Sequence, residues 1–265
     1  MATVLDRPVQ AAPVAPVVRA ISFADVKEAL FAGVEDFNRA PVIGALLGAV
    51  YAFGGIFLLS CVFALDLSYL AYPLLAGSVL IGPFVAAGLY DVSREIEAGR
   101  QPTLKGVMST MFAQRQRELG WMAFVTIFAF IIWMYQVRLL LALFLGYSSF
   151  GTLNEFLHVV FTTQDGLTFL AVGHVVGAAL ALGLFSLTVV SFPLLMDRDI
   201  DVVTAMITSV QAVIASPGPM IAWGLIVVAL LAAGSVPFFL GLIVVLPVLG
   251  HATWHIYRKA VVPAA

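Results

Sequence analysis

Five apolar windows dominate the chain: about Pro41 to Leu65, Ser68 to Tyr90, Leu119 to Val137 or beyond, Leu167 to Leu195, and Met220 to Tyr257. Each is close to or above the roughly 20 residues that cross a hydrocarbon core of about 30 Å at about 1.5 Å per residue. Hydrophobic residues make up 62% of the 265 positions and charged residues 11%, which a soluble core has no room to hide. The chain therefore reads as an all-α, polytopic transmembrane bundle, with the lipid bilayer as its first partner. The last window is too long for one span, and Gly234, Ser235 and Pro237 form a natural turn that splits it. Six spans result.

Of the 13 Lys and Arg residues, twelve fall on one side of this six-span arrangement and only Arg138 near the other. Basic residues in short loops mark the cytoplasmic side, so both termini are expected in the cytoplasm. Pro8, Pro13 and Pro16 interrupt the first 20 residues, which lack a secretory signal's basic start and continuous apolar stretch and read as a disordered tail. Residues 21–265 form a single membrane domain. The net charge of −2 and the absence of long like-charge runs exclude nucleic acid as a partner. The single cysteine, Cys61, forbids an internal disulfide and a thiolate metal cluster.

Each cytoplasmic segment reads as an amphipathic helix leading into a hairpin of two spans. The first has Ser22 as a candidate N-cap with Asp25 three residues on, then Val26, Ala29, Leu30, Gly33, Val34 and Phe37 on one face. The second carries Leu104, Val107, Met108, Met111 and Phe112, and the third Val203, Met206, Val210, Val213 and Ile214. Twelve residues separate Ala29 from Pro41, Val107 from Leu119 and Ala205 from Pro217, and a span begins at or just after the second residue of each pair. Three tandem units follow, at about 21–100, 101–198 and 199–265. The alternative is that any amphipathic helix before a span would show such spacing. Pro83, Tyr90 and Arg94 also match Pro247, Trp254 and Arg258 in spacing, a pattern shared with ordinary inner-interface anchors. On the outer side, Thr152 and Glu155 form a capping box for a short surface helix. Gly44 with Gly48, and Gly173 with Gly177, are small-residue pairs suited to close helix packing.

Few residues could carry chemistry. Arg138 either marks an ion path or snorkels to the outer interface toward Glu155 or Asp165. His174 and His251 lie at unmatched depths, which disfavours a shared haem, whereas His251 and His255 stand four apart on one helical face, the spacing of a metal pair. Trp254, Tyr257 and Arg258 beside His255 place that pair at the interface, and hydrogen bonding competes with metal as its role. Asp91, Arg94, Glu95 and Glu97, with Asp197, Arg198, Asp199 and Asp201, lie just inside the membrane; they either pair across the cytoplasmic face or form a solvated surface. Pro73, Pro83, Pro193, Pro237 and Pro247 interrupt or border spans. No catalytic triad, phosphate-binding glycine loop or intramembrane carboxylate pair can be read, so no catalytic residue and no cofactor is implied.

In ISFADVKEALFAGVEDFNRAP (21 to 41), GPFVAAGLYDVSREIEAGRQP (82 to 102), VSFPLLMDRDIDVVTAM (190 to 206) and PVLGHATWHIYRK (247 to 259), the chain resembles a family of predicted bacterial integral membrane proteins of unassigned function. The resemblance covers nearly everything after residue 20 and implies the bacterial inner membrane. Some members are described as cytochrome c oxidase subunits; the metal-binding histidine pattern of a catalytic oxidase subunit is missing, so the link implied is that of an accessory component. Three functions stay open: a non-enzymatic protein acting through contacts with other membrane proteins, a respiratory oxidase among them; a small-solute transporter or channel; and a haem or metal protein.

Overall fold

A computed structural model describes residues 16–61, 71–114, 118–146 and 153–263. The end of the first apolar window and the link after it (62–70), Thr152 of the outer capping box, two of the thirteen basic residues (Arg115 and Arg117) and the first fifteen residues lie outside these, as do the side chains of Pro73 and Pro83. The described chain is helical: α1 Phe23–Arg39, α2 Pro41–Leu59, α3 Ala71–Glu97, α4 Leu104–Gln114, α5 Glu118–Leu145, α6 Leu153–Thr162, α7 Gln164–Thr188, α8 Ser191–Asp197, α9 Val202–Ala215, α10 Pro217–Ser235 and α11 Leu242–Ala260. Among the described residues, four segments are long and apolar enough to cross a membrane: Pro41–Leu59, Gly120–Leu145, Gln164–Asp197 and Pro217–Ser235. The second half of α11 is too polar for that standard, with His251, His255, Arg258 and Lys259 on it.

Local chemistry accounts for the boundaries. The Ser22 hydroxyl accepts from the Asp25 N–H at 3.2 Å, and the Asp25 carboxylate accepts from the Ser22 N–H at 2.8 Å, a reciprocal cap that starts α1. Asp201 starts α9 by accepting from the Thr204 N–H at 2.9 Å. Pro193 cannot donate a hydrogen bond and its ring crowds the carbonyl four residues back. The break between α7 and α8 falls there, at Val189 and Val190. The Ser209 hydroxyl of α9 accepts the Val190 N–H at 3.1 Å and so satisfies a donor that the break leaves over. Residues 236–241 turn α10 into α11, with Phe238 (φ 51°) and Phe239 (φ 64°) both left-handed. A Cβ on Gly241 would stand 2.7 Å from both the Cα and the carbonyl oxygen of Gly234, so the turn closes with glycine at 241.

α11 sits at the centre, packed against α1, α2, α3, α8 and α10, while α5 joins α3 to α7. The ends of the chain meet: Val18 bridges Val261, with Arg19 N–H to Ala260 C=O and Val262 N–H to Val17 C=O, both 2.9 Å. Val17 to Arg19, expected in the disordered tail, are therefore held by the backbone of the C-terminal segment.

The short helices bury only part of the apolar faces read in the sequence. α1 buries Val26, Ala29, Gly33 and Asp36, and α9 buries Ala205, Thr208, Ser209, Ala212 and Val213. Larger apolar residues turn outward: Phe23, Phe31 and Val34 on α1, Leu104, Met108 and Phe112 on α4, and Val203, Ile207 and Ile214 on α9. Of the apolar faces read in the sequence, Val34, Leu104, Met108, Phe112, Val203 and Ile214 are exposed. Small residues dock because they let backbones meet: a Cβ on Gly33 would lie 2.6 Å from the Ala252 N and 2.7 Å from the Val248 O of α11. The Ala29, Val107 and Ala205 positions matched by the twelve-residue spacing are all buried, at 1% exposure or less.

Candidate functional site: a polar belt around the last helix

Several of the polar groups singled out in the sequence meet along the second half of α11, and the helix period sorts them by neighbour. His251 points to α3, where its Nδ1 stands 2.9 Å from the Ser93 hydroxyl; both residues are fully buried. One turn on, His255 Nε2 lies 2.8 Å from Asp36 Oδ2 of α1. A further turn on, the Lys259 ammonium bridges Asp25 at 3.2 Å and Glu28 at 2.7 Å, again on α1. Trp254 and Arg258 occupy the next face: the indole N–H donates to Glu97 at 3.0 Å and the guanidinium reaches the same carboxylate at 2.8 Å. Arg258 also approaches Asp197 of α8 at 3.4 Å, and the Tyr257 hydroxyl donates to that carboxylate.

Asp91 and Arg94 complete the belt from α3. The Arg94 guanidinium bonds Asp91 at 2.5 Å and the Met196 carbonyl of α8 at 3.0 Å, while the Thr110 hydroxyl ties buried Asp91 to α4. Arg198 donates to the Val262 carbonyl and keeps a buried Nε without a hydrogen-bond partner. Asp199 follows, exposed, at the start of the link to α9. The structure thus gathers Asp91, Arg94, Asp197, Arg198, His251 and His255 at one end of the bundle. Arg138 and His174 stand apart. Arg138 is exposed on α5, and exposed His174 bonds the Leu170 carbonyl of its own helix at 2.7 Å.

Asp36 and Ser93 were missed as members of this set, Trp254 was read only as an interface anchor beside His255, and Glu97, one of the charges expected to pair or be solvated, pairs. Asp36 left a signal, since it continues the three- and four-residue register of Val26, Ala29 and Gly33 on the face that docks. Trp254 left none, because an aromatic beside a basic residue also reads as an interface anchor.

Chemically, the belt pairs charges across elements. Glu97 and Asp197 share the Arg258 guanidinium and each takes a neutral donor from α11 as well, which fixes α3 and α8 against it. The two histidines serve different partners, Ser93 and Asp36, and among the described residues no group of three or more His, Cys, Asp or Glu converges as a metal site would require. At the belt's edge, the Asp25 carboxyl is lowered to about 2, chiefly by the Ser22 hydroxyl and N–H and then by Lys259. Glu95 raises the Arg100 guanidinium above its ordinary value through their 2.7 Å pair.

A cavity of about 800 Å³ opens between α3, α5, α7 and α8, with Gly82, Tyr90, Ala129, Trp133, Gly183 and Phe192 among its lining. No curated protein and no solved structure matches the chain. With four segments able to cross a bilayer, the chain is an integral membrane protein whose residues 71–197, from the start of α3 to the end of α8, match the model of the family described as predicted integral membrane protein (DUF2189).

Proposed function

We propose that this is a non-enzymatic membrane protein that works through contacts with other membrane proteins, as an accessory component of a larger complex in the bacterial inner membrane. In this reading α3 and α11 join the four apolar segments as the second and sixth spans, and both termini lie in the cytoplasm. The three units are α1 to α3, α4 to α8 and α9 to α11. Support comes from the contacts: the short helix of each unit packs on the closing helices of another, α1 on α11, α4 on α3, and α9 on α7 and α8. The polar belt then locks the three units on the cytoplasmic side.

The observation that carries the proposal is the outward stripe on each short helix: Phe23, Phe31 and Val34, then Leu104, Met108 and Phe112, then Val203, Ile207 and Ile214. Their docking faces are already filled by other residues, Ala29 and Gly33 on α1, Val107 and Met111 on α4, and Ala205 and Ala212 on α9, so these side chains are left to contact something else. A respiratory oxidase is the partner that the family resemblance suggests. A solute path would need groups that replace hydration, and the cavity lining is almost wholly apolar.

The test places a photo-cross-linking residue at Phe31, Phe112 and Ile207 in turn and analyses the native membrane. One membrane protein captured at all three sites, and lost with Phe31→Glu, Phe112→Glu and Ile207→Glu while the bundle melts as before, is the expected outcome. Cross-links to lipid or to further copies of this chain alone would overturn it.

A further inference from the structure

We infer that the cavity between α3, α5, α7 and α8 is a binding site for one phospholipid acyl chain. The inference rests on the membrane-spanning reading of α5 and α7 and is independent of any accessory role. On α7 the lining runs from Gly177 to Leu187, on α5 from Val125 to Trp133, and on α3 from Gly82 to Tyr90. Ten residues of helix measure about 15 Å, half of a hydrocarbon core of about 30 Å. The cavity is therefore one leaflet deep. It begins where α7 gives way to α8 and stops near the middle of α5.

Its chemistry selects the occupant. The space of about 800 Å³ is an open trough, with Phe128, Ile132, Trp133 and Leu180 on its exposed side, and water needs two to four polar partners to settle. The lining presents two hydroxyls: Thr126 already donates to the Ala123 carbonyl at 2.9 Å, and Tyr90 lies at the α8 end, stacked on Trp254. An apolar chain from the surrounding leaflet fits, with its ester end toward Tyr90 and its methyl end beside Trp133. The size falls within the roughly 300–1,000 Å³ of small-molecule sites.

Gly183 gives a clean test, because nothing lies within 4 Å of a Cβ built on it, and the same is true of Gly54 on α2, away from the cavity. The whole protein, delipidated in mild detergent, is offered palmitoyl-oleoyl phosphatidylglycerol in mixed micelles and weighed by native mass spectrometry. Wild type and Gly54→Phe should take up one lipid saturably, and Gly183→Phe should bind it at least about tenfold more weakly, the equivalent of about two lost methylene contacts. Ala129→Phe fills the same cavity from α5 and replaces Gly183→Phe should that variant lose its cooperative melt. Equal uptake by all variants, no saturable uptake by wild type, or a co-purified isoprenoid that the phospholipid fails to displace would each overturn the inference.

Discussion

α1 and α2 superpose in sequence on α9 and α10 with a shift of 176 residues, and the two pairs are built alike but held differently. α2 spans Pro41–Leu59 and α10 spans Pro217–Ser235, each opening on proline. The residue at each joint takes nearly the same backbone turn, φ −134° and ψ 53° at Ala40 against φ −144° and ψ 61° at Ser216. What differs is the partner. α1 and α2 lie on α11 through glycine against backbone, whereas α9 meets the broken end of α7 through hydroxyls. A shared local geometry therefore fixes how each short helix leaves its span, and the docking residues alone decide how tightly it is held.

The glycines offer the sharpest way to break that parallel. Gly33→Leu forces a side chain into the Ala252 and Val248 backbone, which cannot move as a flexible side chain can; we expect α1 to lose its seat at about 3 kcal/mol, the upper end of overpacking costs. Ser209→Leu would confound the comparison by removing a hydrogen bond, so the matched pair of choice is one helix further on. Pro247 deprives the Ile243 carbonyl of its helical donor, and a Cβ on Gly48 would stand 2.8 Å from that oxygen. At Gly224, the position 176 residues later, a Cβ would meet only the Phe185 ring at 3.6 Å, an ordinary contact. Gly48→Ala should destabilise by about 2 kcal/mol and Gly224→Ala should leave stability within about 0.5 kcal/mol. Thermal melts in one detergent, followed by circular dichroism, read both; equal effects would mean that α2 and α10 are held the same way.

The sequence announced the joints and hid the faces. Ser22 with Asp25, the twelve-residue spacing and the Gly234 to Pro237 turn all rest on backbone chemistry that operates in any solvent, and helices begin or turn at each. Which face of α1 or α9 docks could not be read from apolarity, because lipid is as apolar as the interior and removes the contrast between inside and outside. Residue size carries the signal instead: Ala29, Gly33, Ala205, Ser209 and Ala212 face in, while Phe31, Ile207 and Ile214 face out. The belt was half legible for the same reason. Charges near span ends were visible as clusters, and that Glu97 and Asp197 share Arg258 depends on three helices meeting, which no local pattern encodes.

On the α9 side the hydroxyl is the part to remove. Ser209→Ala leaves the buried Val190 N–H without an acceptor at the point where Pro193 has already interrupted the helix. We expect a loss of about 1–2 kcal/mol, with Ser209→Thr recovering part of it by restoring the oxygen. Hydrogen exchange at Val190, measured by mass spectrometry on peptides covering 185–195, should rise in the alanine variant while α1 peptides stay protected. Exchange spreading to α1 would show that the two docking sites are coupled rather than parallel.

The caps give the smallest and most specific contrast. Asp25 and Asp201 both stand at helix starts with lowered carboxyl pKa values, through the Ser22 hydroxyl and N–H for Asp25 and through the Thr204 hydroxyl and N–H for Asp201. Only Asp25 also reaches across to α11, through Lys259. A carboxyl whose pKa falls from 3.8 to about 2 on folding adds stability that is complete above the unfolded value and is lost as pH falls through the folded one. The window therefore runs from about pH 4 down to about pH 2. Because about a third of the Asp25 side chain, 34%, is open to solvent, the gain is discounted to below about 1 kcal/mol. The difference in melting temperature between wild type and Asp25→Asn should shrink across that window, and α1 should be the segment that loosens. A difference that stays constant with pH would mean that neither Ser22 nor Lys259 ties the hold on α1 to the charge of Asp25.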